Sequence, residues 1–309
     1  MKKLLSGILI ATIGLGFYGC NQKSGFLGAD ALKTNVNELV ALDSKIENVV
    51  ETSSYEPDVF SLGTSSVTAY SIGLKSGGIG GGYSDGGRFR NMFEQFPRFK
   101  LRYREGICPD LSITSTNGGY PRTMTIDYGN SLALANGHVL KGKIIIVISA
   151  APFVSGSTRE ITYENFCTDS VCISGTSLKT RTNDIQRKFS DNCDLTITLP
   201  NGSTIHRVEE HHRTWVTGSD TEFNPADDVI EITGKVHVSG PSGNDYSKII
   251  TTPLVKTGEC KFIVKGIIEF KTSNGKFASL DYGTGDCDNK ATRTIQEGTT
   301  EITLGKMGR

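Results

Sequence analysis

The chain carries no excess charge: Lys plus Arg and Asp plus Glu stand at 33 each, a formal net charge of zero. A nucleic-acid binder normally shows a basic patch and a high pI, so this balance argues against that class. Beyond the N-terminus no apolar run approaches the roughly 20 residues that span a bilayer; residues 144–148 are only strand-sized. Metal spacings are missing as well. No two cysteines stand as C-x-x-C, no histidines follow at finger spacing, and no H-E-x-x-H occurs. There is no G-x-S-x-G elbow, and no Lys-Ser or Lys-Thr closes the Gly-rich stretch, which excludes a phosphate-binding loop. The carboxylate pairs Glu209-Glu210 and Asp227-Asp228 are adjacent. In a strand such neighbours point to opposite faces, which defeats a glycosidase pair sharing one bond.

What is present begins at the first residue. Met1-Lys2-Lys3 is basic, residues 4–16 are almost uncharged and apolar, and Gly19 precedes Cys20. Basic start, short apolar run and small residue make an export signal. With a cysteine directly after the small residue, the segment resembles the bacterial lipoprotein signal. That resemblance implies removal of residues 1–19 and acylation, palmitate included, of Cys20. Two lysines leave with the signal, so the remaining chain is slightly acidic. Membrane attachment then rests on the lipid.

Seven cysteines are encoded. With Cys20 set aside, six in an exported chain point to disulfides. Cys167 and Cys172 flank four residues, a spacing that closes across a hairpin turn; Cys260 and Cys287 form a second candidate pair. Cys108 with Cys193 follows by elimination.

From 30 to 51 the residues Leu32, Val36, Leu39, Ile46 and Val50 recur at helical steps, which predicts an amphipathic helix. Residues 61–100 are crowded with glycine and read as a linker. Thereafter the pattern is β. Ile230, Ile232, Val236 and Val238 alternate with Glu231, Thr233, Lys235 and His237. Phe262, Val264, Ile268 and Phe270 alternate with lysines and glutamates. Residues 144–148, apolar on both faces, predict a central, covered strand. Asn-Gly turns recur at 117, 136, 201 and 274. Short strands at that spacing predict a mainly β fold: an antiparallel sandwich or stacked-sheet domain preceded by an N-terminal amphipathic helix. The organisation is signal 1–19, lipidated segment and helix 20–60, linker 61–100, and β-rich domain 101–309. Asp127-Tyr128-Gly129 and Asp281-Tyr282-Gly283 follow Asn-Gly turns alike, which suggests two related β units.

Candidate chemistry is thin. Asp281, Asp286 and Asp288 supply carboxylates in a Gly-bent loop, as calcium requires, but turn roles explain them as well. His206, His211 and His212 fall on one predicted strand, His211 facing the opposite way from the other two and sharing its face with Arg207 and Arg213. That strand reads as solvated and laced with charge. An enzyme would need His206 or His211 brought to Glu209 or Asp227 in a pocket. Trp215, Tyr246, Tyr128 and Tyr282 form a candidate platform for sugar rings.

The stretches Cys108-Pro109, residues 121–129 (PRTMTIDYG), 137–146 (GHVLKGKIII), 199–205 (LPNGSTI), Arg213-Thr214-Trp215, 251–256 (TTPLVK) and 280–291 together resemble a group of uncharacterised lipoproteins from Bacteroidota. The resemblance spans roughly residues 105 to 304. It implies a place in the cell envelope, lipid-anchored at the outer membrane, and β architecture; it implies no reaction. The expectation is a non-enzymatic envelope lipoprotein with a binding or structural role and no cofactor. A glycan- or surface-polymer-binding module and a periplasmic or cell-surface hydrolase are the alternatives. The expected partners are the membrane, through the N-terminal lipid, and a glycan or protein ligand.

Overall fold

A computed structural model of the chain describes Ile46, Val50, Ser53 and residues 109–304, apart from 116–118, 135–136, 152–153, 184, 221–224, 241–244, 261 and 276. The signal, Cys20, Cys108 and the Gly-rich stretch 61–100 lie outside the described residues. So does most of the predicted helix. Of that segment Ile46 and Val50 are described, both helical; Ile46 belongs to the core and Val50 packs against it, partly buried.

The strands are β1 (Asp110–Ser115), β2 (Arg122–Asp127), β3 (Leu132–Ala133), β4 (Val139–Ile148), β5 (Thr158–Thr168), β6 (Val171–Asn183) and β7 (Lys188–Thr198). They continue as β8 (Thr204–Thr217), β9 (Val229–Ser239), β10 (Tyr246–Thr257), β11 (Ile263–Thr272), β12 (Phe277–Thr284), β13 (Lys290–Ile295) and β14 (Gly298–Thr303). All fourteen belong to one antiparallel sheet, in which each strand pairs with its neighbour in sequence; only the short β3 lies off the path, paired to β4. The described β region is therefore one continuous meander of hairpins rather than two separately hydrogen-bonded sheets. Tight turns make such a meander, and Asn201-Gly202 and Asn274-Gly275 sit where expected, between β7 and β8 and between β11 and β12.

Alternation decides the faces. Ile232, Val236 and Val238 of β9 are buried while Glu231, Lys235 and His237 are exposed, as the sequence pattern requires. β11 buries Val264, Ile268 and Phe270 and exposes Lys265 and Lys271. β4 lies third on the sheet path, between β2 and β5; Ile144 and Ile146 are wholly inaccessible, and Ile145 and Val147 on its other face are half-buried. One core cluster runs from Leu111 on β1 to Ala291 on β13 and Leu304 beyond β14. Outward positions carry Glu160, Glu164, Asp194, Lys235 and Lys265. A lipid-facing barrel presents an apolar band there instead. Among the described residues no helix is long and apolar enough to cross a membrane.

Glycines let the long strands approach one another closely. Gly175 on β6 has φ +117°, and a Cβ there would stand 2.2 Å from the Asp194 carbonyl oxygen of β7. Only a residue without a side chain lets the two backbones approach so closely. Disulfides brace the sheet: Cys167–Cys172 closes the β5–β6 hairpin, and Cys260–Cys287 ties the start of β11 to the end of β12. Both are the pairs expected, the first from its hairpin spacing and the second as the other candidate pair. Cys193 stands half-buried on β7, its Sγ 3.8 Å from Glu209 Oε2.

The echoed Asp-Tyr-Gly segments adopt the same local geometry. Asp127 Oδ1 accepts the Gly129 N–H and Asp281 Oδ1 accepts the Gly283 N–H, each at 2.8 Å. Tyr128 and Tyr282 both turn into the core, at 3% exposure.

Candidate functional site

β8 is the strand on which the chain concentrates charge and histidine. Its even positions, His206, Val208, Glu210 and His212, point outward. Its odd positions, Ile205, Arg207, Glu209, His211, Arg213 and Trp215, point to the core side. The sequence pattern reads this strand as solvated, and the inward half corrects that. Arg207 is 1% exposed and His211 6%. The reason lies in the neighbours: β7 contributes Leu195 and Ile197, and β9 contributes Val236 and Val238, to the same buried face.

Within this face the charges are matched to one another. Glu209 Oε2 accepts from Arg207 Nη2 at 2.5 Å, and Glu209 Oε1 stands 2.5 Å from His211 Nδ1. Burial alone would push the Glu209 carboxyl up. The attraction of Arg207 and His211 and their hydrogen bonds overcome that, and hold it well below the ordinary range. One strand spacing away, Asp191 on β7 meets Lys179 of β6 at 3.8 Å and Arg213 at 3.5 Å. Phe189 and Trp215 close this row edge to face, with centroids 5.5 Å apart, and Arg187 lies over the Trp215 ring at 4.5 Å. Room for His211 comes from β9. Gly234 pairs with His211, and a Cβ on Gly234 would stand 2.1 Å from Glu210 O and 2.5 Å from His211 Cδ2.

The structure thus joins Glu209 to His211, as an enzyme reading needed, and adds Arg207, which was assigned to a wet face. It does not bring in the other two residues. His206 Nε2 pairs outward with Asp194 Oδ1 at 2.7 Å, and Asp227 ends a short 3-10 turn (Pro225–Asp227) leading into β9. On the outer face Glu210 is drawn below its ordinary value by the hydrogen bond and charge of Lys235 and by His212. His138, isolated in sequence, meets Asp169 at 2.7 Å beside the β5–β6 turn.

The aromatic platform is not assembled. Tyr246 is 1% exposed and Tyr128 and Tyr282 3% each; strand parity points Tyr246 and Tyr282 into the core, and Tyr128, just past the end of β2, packs there against Phe166. Trp215 is half-buried against Phe189 and Arg187. In the acidic loop, Asp281 and Asp288 each accept a backbone N–H, from Gly283 and from Lys290. Among the described residues no group of three or more His, Cys, Asp or Glu is placed to hold a metal ion. A depression of about 550 Å³ on the outer face of β6 to β10 is floored by Leu178, Val208 and Ile249. Comparison with protein-family models, with curated proteins and with solved structures finds no match.

Proposed function

We propose that the protein is an exported, lipid-anchored envelope protein whose β domain binds or supports other envelope components and catalyses no reaction. The carrying observation is the saturation of Glu209. It is the one carboxylate among the described residues that meets a buried histidine and a buried arginine, and both its oxygens are engaged. A general acid or base must exchange its proton with substrate near neutral pH. Glu209 is held well below that range, with only 13% of its side chain exposed.

The anchor reading rests on the Lys2-Lys3, apolar run and Gly19-Cys20 order, and two disulfides suit an oxidising compartment. The finer architecture we propose is a sandwich, the meander folding over its own core. A single open layer leaves both faces of every strand wet, whereas Ile126, Leu140, Ile144 and Ile146 are wholly inaccessible. The test is fractionation of cells expressing the chain and its Cys20→Ser variant, with metabolic fatty-acid labelling. The reading expects labelled protein in the outer-membrane fraction, and no label after the substitution. Equal labelling of both forms would refute the anchor.

A further inference from the structure

Six large hydrophobic residues are exposed among the described ones, and three of them lie at one end of the sheet: Val154 at 50%, Ile185 at 93% and Val216 at 48%. Backbone contacts place them side by side. Gly156 N donates to Arg181 O at 2.8 Å, linking the turn that carries Val154 to β6. Trp215 N donates to Arg187 O at 3.0 Å, and Gln186 Nε2 donates to Trp215 O at 3.2 Å, linking the β6–β7 turn to the end of β8. Ile185 is held outward by a built turn, in which Gln186 N donates to Asn183 Oδ1 at 2.9 Å.

The same segment carries cations. Of the four basic side chains in residues 179–188, Lys179 meets Asp191 and Arg181 is buried over Phe189, which leaves Arg187 and Lys188 beside Ile185. Arg187 lies on the Trp215 ring, and neither Arg187 nor Lys188 has a carboxylate partner among the described residues. An exposed apolar knob, a tryptophan just behind it and two cations beside it are what the boundary of an anionic bilayer accommodates. The apolar groups enter the acyl edge, and the cations meet phosphate. We propose that this end of the sheet is a tip that contacts an anionic lipid surface. The inference deepens the anchored reading above by stating which part of the tethered domain the membrane meets.

Trp215 is the chain's single tryptophan, so its fluorescence reports on this end alone. The full chain, purified from membranes, is reconstituted into phosphatidylcholine vesicles with and without phosphatidylglycerol, the acyl chains being brominated. The expected result is a blue shift and quenching of Trp215 in the anionic vesicles, weakened by salt. Quenching is lost in Ile185→Asp and in the Arg187→Glu/Lys188→Glu double variant, while both still pellet with the vesicles. An acylated chain that pellets with Trp215 unquenched overturns the tip and leaves the anchor standing, and so does quenching that both variants retain. A chain found unacylated whose Trp215 is nevertheless quenched supports the tip and overturns the anchor.

Discussion

Glu209 is the residue on which the interior charges depend. Replacing it with Gln leaves Arg207 buried without its counter-charge, and breaking a buried pair of this kind costs about 3–5 kcal/mol. A chemical denaturation curve of Glu209→Gln should show that loss. The pH dependence has a definite sign. The folded carboxyl is held below its unfolded value of about 4.3, so its contribution is present above that pH and disappears as pH falls through the folded value. Asp169 works in the same direction: partial burial pushes it up, and the Val139 N–H and His138 pull it down further. Thermal melts should therefore fall with acidification below about pH 4, and Glu209→Gln should flatten that slope. Gly234→Ala is a second test. Its Cβ would meet Glu210 O and the His211 ring, in a φ region costly for L side chains, and a loss on the order of 1–3 kcal/mol is expected. Little of this was legible from single residues. An arginine or histidine in a strand does not announce which side it faces. The usable signal was parity: Ile205 and Trp215 share the odd positions of Arg207 through Arg213 and mark that face as inward.

At the scale of elements the sequence spoke more clearly. Alternation in β9 and β11 gave both faces correctly, because each strand has one wet side. The Asn-Gly turns at 201 and 274 and the Cys167–Cys172 pair fell where spacing put them, and Cys260–Cys287 is the second pair expected. The tyrosines were misread for the opposite reason: an aromatic on a β surface suits a platform and a core alike, and only register separates them. The single continuous sheet also escaped the pattern, since alternation describes a strand and says nothing about how many strands share one hydrogen-bonded path. The disulfides allow a graded prediction. Cys260–Cys287 spans 27 residues and Cys167–Cys172 spans 5. By loop entropy the first contributes about 3.5 kcal/mol and the second about 2 kcal/mol. Paired Cys→Ser substitutions should lower the denaturation midpoint in that order.

At the scale of the molecule, the described pieces make a sheet whose strands meet their sequence neighbours, whose core is continuous from β1 to the end of β14, and whose inward Glu209 is matched by Arg207 and His211. The proposed role, a tethered binding or structural protein, asks of such a domain only that it present surfaces. Its distal claim, the anchor, is written only in the first twenty residues, and its oxidised state in the cysteines. One measurement reads both: the intact mass of protein extracted from native membranes, after alkylation of thiols under denaturing, non-reducing conditions. The account predicts a chain starting at residue 20, heavier by its acyl groups, with Cys167, Cys172, Cys260 and Cys287 unalkylated. A chain that retains Met1, lacks acyl mass and alkylates at all seven cysteines would contradict it.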